Sequence, residues 1–112
     1  MHKLVVLMRG GAAGSEVLER RWSEEFVPLA EKMPGLRRVQ VGRSVGAPAE
    51  PPDVLLMHEF LFADLEALQR AMTSPEGQAA GRALMGFAAA RAELFFAEHH
   101  EMELGAPAGI TD

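Results

Sequence analysis

Three segments of the sequence have the composition of β-strands and are largely apolar on both of their alternating faces. They span residues 3–8, 54–62 and 92–104. An antiparallel sheet that carries helices on one face normally shows polar residues on the other. Here the second face must also be covered, and a chain of 112 residues has no segment left over to do so. The pattern therefore predicts a symmetric homodimer in which two copies pack sheet against sheet.

Between these strands, the sequence predicts three helices and one further strand. Apolar residues recur every three or four positions from residue 18 to residue 33, which indicates an amphipathic helix, and Pro28 predicts a kink within it. Residues 36–45 alternate between valine and polar residues, as in an edge strand with one wet face. Asp64 is expected to cap a short helix, and Ser74 with Pro75 a second one.

The order strand, helix, strand, strand, helices, strand predicts an α+β domain. It corresponds to ferredoxin-like βαββαβ topology, with a four-stranded antiparallel sheet and its helices on one face. We expect this domain to span residues 1–104 and residues 105–112 to form a flexible C-terminal tail. Residues 10–14 are rich in glycine and precede a helix, but they lack the lysine and the glycine spacing of a phosphate-binding loop.

The composition excludes several classes of function. The chain contains no cysteine and no tyrosine, so it has neither thiolate metal sites nor thiol nucleophiles. Its net charge of −5 argues against nucleic-acid binding. No apolar run approaches the roughly 20 residues of a membrane span, and the start lacks the pattern of a signal peptide. We expect a cytoplasmic protein whose acid–base chemistry falls to histidines and carboxylates.

His58 and Glu59 are the candidate catalytic residues. They lie in the middle of the predicted third strand and must point to opposite faces of the sheet, because neighbouring residues of a strand alternate. One of them should face the helices and the other the dimer interface. A proton-transfer group in a pocket is the functional interpretation. The alternative is a buried, hydrogen-bonded side chain or an interface salt bridge.

The remaining histidines predict no metal site. His99 and His100 are adjacent in a strand, so their side chains diverge and cannot bind one ion together. Pairing of the first and last strands would bring His2 opposite a residue within about two positions of 100. His2 and His100 could then form a surface pair, with Glu98 as the third ligand that a metal would need. A solvated strand end is the preferred interpretation.

A series of short segments resembles a known family. They are LVVL at residues 4–7, RW at 21–22, VPL at 27–29, MPGLRR at 33–38, DLEAL at 64–68, TSPEGQ at 73–78 and AEH at 97–99. Their order and spacing over residues 3–103 are similar to those of the EthD family. This resemblance implies a dimeric α/β barrel and, in some members of the superfamily, cofactor-free chemistry. Many EthD-like chains have a histidine two residues before the helix proline, whereas this sequence has Phe26 there.

The resemblance and the residues together favour a homodimer that binds a small apolar or aromatic metabolite between sheet and helices. It would require no cofactor and could act as an isomerase, dehydratase or monooxygenase. The alternative is a non-catalytic accessory or ligand-carrying module. The residues expected to contact a substrate, beside the catalytic candidates His58 and Glu59, are Met57, Phe60, Trp22 and Phe26.

Overall fold

The computed structural model describes residues 1–10, 15–50 and 53–104. The strands are β1 (His2–Met8), β2 (Arg38–Arg43), β3 (Leu56–Phe62) and β4 (Ala92–Glu98). The helices are α1 (Ser15–Arg21), α2 (Val27–Ala30), α3 (Leu65–Thr73) and α4 (Pro75–Ala88), and a π-helical turn, Trp22–Phe26, joins α1 to α2.

The four strands form one antiparallel sheet in the order β2-β3-β1-β4. This is the strand order of the ferredoxin-like fold, so the predicted fold class is confirmed. The edge position predicted for the second strand is also confirmed, and β3 is an inner strand. His58, in the middle of β3, pairs with Val6 of β1 on one side and with Val41 of β2 on the other.

Pro28 disturbs the first helix through a π-helical turn. Proline has no N–H to donate to the carbonyl of Glu24, four residues earlier. Val27 N–H instead bonds to the carbonyl oxygen of Trp22, five residues earlier, and the helix then continues to Ala30. The expected irregularity is present, and it lies in the turn before the proline. Such turns occur frequently at functional sites.

The two helices of the second half begin as predicted. Asp64 Oδ1 accepts a hydrogen bond of 2.8 Å from the backbone N–H of Ala67, and Ser74 Oγ accepts one of 3.0 Å from that of Gly77. Pro75 occupies the first turn of α4, where its missing N–H costs nothing. Each cap satisfies a backbone donor that the helix itself leaves unpaired.

The strands are shorter than the sequence patterns predicted. β2 covers Arg38–Arg43 within the predicted 36–45, and β3 begins at Leu56 instead of residue 54. The prediction that the last strand runs to residue 104 is wrong, because β4 ends at Glu98. Its neighbour β1 begins at His2, which pairs with Glu98, so later residues have no strand to pair with. The predicted tail, and most of the glycine-rich loop, lie outside the described residues.

Core residues lie between the sheet and the helices. Apart from His2 at the strand end, the alternate positions of β1 and β3 that face the helices are buried, as are the sheet-facing positions of the helices. The opposite face of the sheet, which we call the open face, has no helix against it among the described residues. Its side chains include Val5 and Leu61, which are buried within the chain, and Leu7, Met57 and Phe95, which are more exposed.

Gly77 allows α4 to approach the end of α3 closely, whereas Gly81 has no such role. A Cβ atom on Gly77 would clash with the carbonyl oxygen of Ala71, and one on Gly81 would meet nothing within 4 Å. We expect Gly77→Ala to lower the free energy of unfolding by roughly 1–3 kcal/mol. Gly81→Ala, the matched control, should raise it by about 0.5–1 kcal/mol. Urea titrations of both variants check this pair; equal stabilities would contradict the packing described.

Candidate functional site

His58 is a buried polar side chain on the helix-covered face of β3. It is only 1% exposed, and Trp22 Nε1–H donates a hydrogen bond of 3.0 Å to its Nδ1 atom. Its other ring nitrogen, Nε2, is buried and has no hydrogen-bond partner among the described residues. A buried nitrogen without a partner costs stability, which makes this position a candidate for ligand binding.

Aromatic rings surround the imidazole. Phe60 lies 4.1 Å from it between ring centroids, and the edge-to-face partners Trp22 and Phe26 lie 5.3 Å and 5.9 Å away. Because these rings exclude water from the charged form, burial lowers the pKa of His58 to about 4. The imidazole is therefore neutral at neutral pH. Trp22 and Phe26 both belong to the π-helical turn, one turn of helix apart.

Glu59 lies on the open face, away from His58. Its carboxylate forms an ion pair of 2.7 Å with Lys3 Nζ, and both side chains are mostly buried. Met57 is on the same face and is 39% exposed. The structure therefore divides the predicted site residues. Four of them meet beneath the helices, namely His58, Phe60, Trp22 and Phe26, while Glu59 and Met57 lie on the other side of the sheet.

A small apolar cavity lies between the sheet and the helices. It holds about 20 Å³, room for about one water molecule. Phe26, which contacts His58, forms part of its wall, and Met33 and Met72 supply flexible side chains. The remaining lining residues are Leu4, Gly77, Ala80, Gly81, Leu84 and Leu94.

The cavity adjoins an open surface groove between α4 and β4. The groove holds about 380 Å³ and shares two lining residues, Gly81 and Leu94, with the cavity. Its other walls are Gln78, Arg82 and Met85. Gly81 and Leu94 therefore form the boundary between the groove and the cavity, and Gly81 places no side chain there.

Sequence reasoning missed the residues at this junction. The apolar pattern of residues 92–104 predicts only that Leu94 lies in a strand, and no motif includes Gly81. The sequence does contain a signal for Gly81. A glycine inside a helix lowers helix stability by about 1 kcal/mol relative to alanine, so its presence there indicates a role in packing or function. No pattern in the sequence distinguishes Leu94 from the other apolar residues of β4.

The histidines near the sheet end pair with carboxylates. His2 lies opposite Glu98, within the predicted two residues of position 100, and His100 Nε2 lies 3.1 Å from Glu98 Oε1. His100, and then His2, hold the pKa of Glu98 below its usual value. Within residues 1–10, 15–50 and 53–104, no three side chains of the His, Asp or Glu type are placed to hold a metal ion.

In the same ranges no helix has the length and apolar character needed to cross a bilayer.

Comparison with known proteins identifies the family. Residues 14–91 match the EthD domain, which is more than half of the chain. A crystal structure of an EthD family protein from Bacillus halodurans is 34% identical, with a TM-score of 0.83, over 89% of this chain and 99% of that one. The chain belongs to the EthD family.

Other similar proteins are more distant. An uncharacterized 11.0 kDa protein of Rhodococcus erythropolis is 23% identical over 84% of this chain and 91% of its own length. A dimeric ferredoxin-like protein of unknown function from Jannaschia has a TM-score of 0.63 at 19% identity, over 88% of this chain and 98% of that one. SnoaB, a cofactor-independent oxygenase from Streptomyces nogalater, has a TM-score of 0.62 at 16% identity, over 93% and 97%. The last two similarities establish the fold alone.

Proposed function

We propose that this protein binds a small apolar or aromatic molecule between its sheet and its helices, through the groove between α4 and β4. The observation that carries the proposal is the junction at Gly81 and Leu94, where the groove meets the apolar cavity. Phe26 then connects the cavity wall to the buried imidazole of His58. The site thus combines an apolar chamber with one polar group, as small-molecule sites commonly do.

Size and flexibility decide how a ligand enters. The cavity is far smaller than the roughly 300 Å³ of an ordinary ligand pocket, so its walls must move apart on binding. Met33 and Met72 are unbranched and adopt many rotamers at low cost, which suits this adjustment. Aromatic ligands fit the proposal because the ring of Phe26 lines the cavity and can stack against another ring.

The chemistry we propose for this site is a cofactor-independent reaction of the isomerase, dehydratase or monooxygenase type. His58 is the polar group that would contact the reacting atoms. Glu59, the second catalytic candidate, faces away from the cavity, and its ion pair with Lys3 suits an interface role better. That SnoaB, a cofactor-independent oxygenase, has the same fold is compatible with this proposal.

With an identified substrate, the His58→Ala variant should lose turnover, whereas the Glu59→Gln variant should retain it.

The second candidate is a non-catalytic ligand-carrying module. The single polar group beside the cavity, His58, favours it, because proton transfer commonly uses a second acid or base and Glu59 faces the other side of the sheet. Both candidates need the same access route. Under either one we propose a homodimer assembled through the open face and a cytoplasmic location, with which the lack of cysteine is compatible.

The proposal predicts that a bulky side chain at the junction weakens ligand binding. We expect Gly81→Phe to place its ring in the groove and to weaken the binding of acetophenone, a small aromatic probe, at least tenfold. Gly81→Ala, whose Cβ meets nothing within 4 Å, is the control and should bind as the wild type does. Titration followed by NMR chemical shifts measures both affinities. Equal binding by wild type and Gly81→Phe would show that the probe does not enter here.

A further inference from the structure

We propose that Trp22 is a positioning residue that holds His58 in the tautomer with its proton on Nε2, so that the site selects ligands bearing a hydrogen-bond acceptor. This inference rests on the proposed function for the location of the ligand. The chemical class it names is a small aromatic molecule with a carbonyl or phenolate oxygen.

The tautomer follows from the donor chemistry of tryptophan. Indole Nε1–H can only donate, so the Nδ1 atom of His58, 3.0 Å away, must offer a lone pair. A neutral imidazole carries one proton on its two nitrogens, which leaves that proton on Nε2. Burial beneath Trp22, Phe26 and Phe60 favours the neutral form, in agreement with the lowered pKa.

The role of the imidazole follows from the tautomer. Nδ1 is occupied by Trp22, and Nε2 carries a proton, so resting His58 offers no free lone pair to act as a general base. It offers instead a buried N–H donor that has no acceptor among the described residues. A ligand oxygen would satisfy this donor, whereas an ammonium group would bring another donor to it.

Phe26 controls the approach to this donor. Its ring contacts the imidazole at a centroid distance of 5.9 Å and also lines the cavity. His58 itself does not line the cavity, so in this proposal a ligand reaches the imidazole by displacing the Phe26 ring. An oxygen atom that meets Nε2–H in the apolar interior gains a hydrogen bond for which no water competes.

The first test reads the tautomer in the ligand-free protein. With ¹⁵N-labelled histidine, the two-bond ¹H–¹⁵N NMR pattern at pH 7 should show His58 protonated on Nε2 alone. Trp22→Phe removes the donor but keeps an aromatic ring, and should yield a mixture of both tautomers. Phe26→Leu changes another edge-to-face neighbour that donates nothing, and should leave the tautomer unchanged. A proton on Nδ1 in the wild type, or no change in Trp22→Phe, would overturn the role of Trp22.

The second test compares two probes of nearly equal shape. Acetophenone carries a C=O group where α-methylstyrene carries C=CH₂, so only the first can accept a hydrogen bond. We expect acetophenone to bind about tenfold more tightly and to shift the His58 Nε2 resonance, which α-methylstyrene should not do. If the two probes bind equally well while His58 has the predicted tautomer, the proposed class of ligand is wrong and the role of Trp22 stands. Binding of neither probe would contradict the proposed function, while the tautomer result would still decide the role of Trp22.

Discussion

The free energy of unfolding is expected to fall by roughly 2.5 kcal/mol as the pH is lowered from 7.5 to 4.5, because of His58 alone. Burial lowers the pKa of His58 from 6.5 to about 4 in the folded protein, so the unfolded chain binds its proton first. The contribution of His58 is therefore complete above pH 6.5 and is lost as the pH falls toward 4. Urea titrations at half-unit pH intervals measure the slope.

Between pH 6.5 and 4.5, the change in the free energy of unfolding that is due to His58 is separate from the changes that are due to the carboxylates. The pKa values of Glu25, Glu98 and Glu101 are lowered by their hydrogen-bonding partners, so their contributions disappear only below about pH 4.5. His58→Gln, which has no titrating group at this position, is the matched variant and should lose the slope in this window. The same slope in variant and wild type would show that His58 is not buried as described.

Replacement of Phe95 by glutamate is expected to convert a homodimer into monomers. Phe95 is 50% exposed on the open face, beside Val5 of β1. In the proposed dimer it is buried against the partner, where an unpaired carboxylate costs several kcal/mol. Light scattering at micromolar concentration should give twice 12.1 kDa for the wild type and 12.1 kDa for Phe95→Glu.

Phe96, the next residue along β4, provides a control that tests whether the dimer forms through the open face. Phe96 is 47% exposed, nearly as much as Phe95, but it points to the helix side of β4. Phe96→Glu introduces the same charge into the same strand and should remain dimeric. A wild type of 12.1 kDa, or monomers from both variants, would contradict a dimer built through the open face.

Local chemistry explains why the fold could be predicted. The capping residues Asp64 and Ser74 define their helices through hydrogen bonds within three residues, which a sequence shows directly. The end of β4 depends instead on where β1 begins, and the apolar alternation beyond Glu98 carries no information about it. Pro28 predicted an irregular helix, but the proline alone does not distinguish the observed π turn from a simple kink.

The candidate site was only partly accessible to sequence reasoning. Strand alternation places His58 and Glu59 on opposite faces, but it cannot decide which of them faces the helices. The Trp22–His58 hydrogen bond joins residues 36 positions apart and appears only when the helix packs on β3. The junction at Gly81 and Leu94 is likewise a property of two elements together.

The location of the bound molecule is the central claim, and methionine methyl groups can report it directly. Met33 and Met72 line the cavity, whereas Met57 lies on the open face of the sheet. With ¹³C-methyl-labelled methionine and bound acetophenone, we predict intermolecular nuclear Overhauser effects to Met33 and Met72 and none to Met57. Contacts to Met57 without contacts to Met33 and Met72 would place the ligand on the wrong side of the sheet and contradict the proposal.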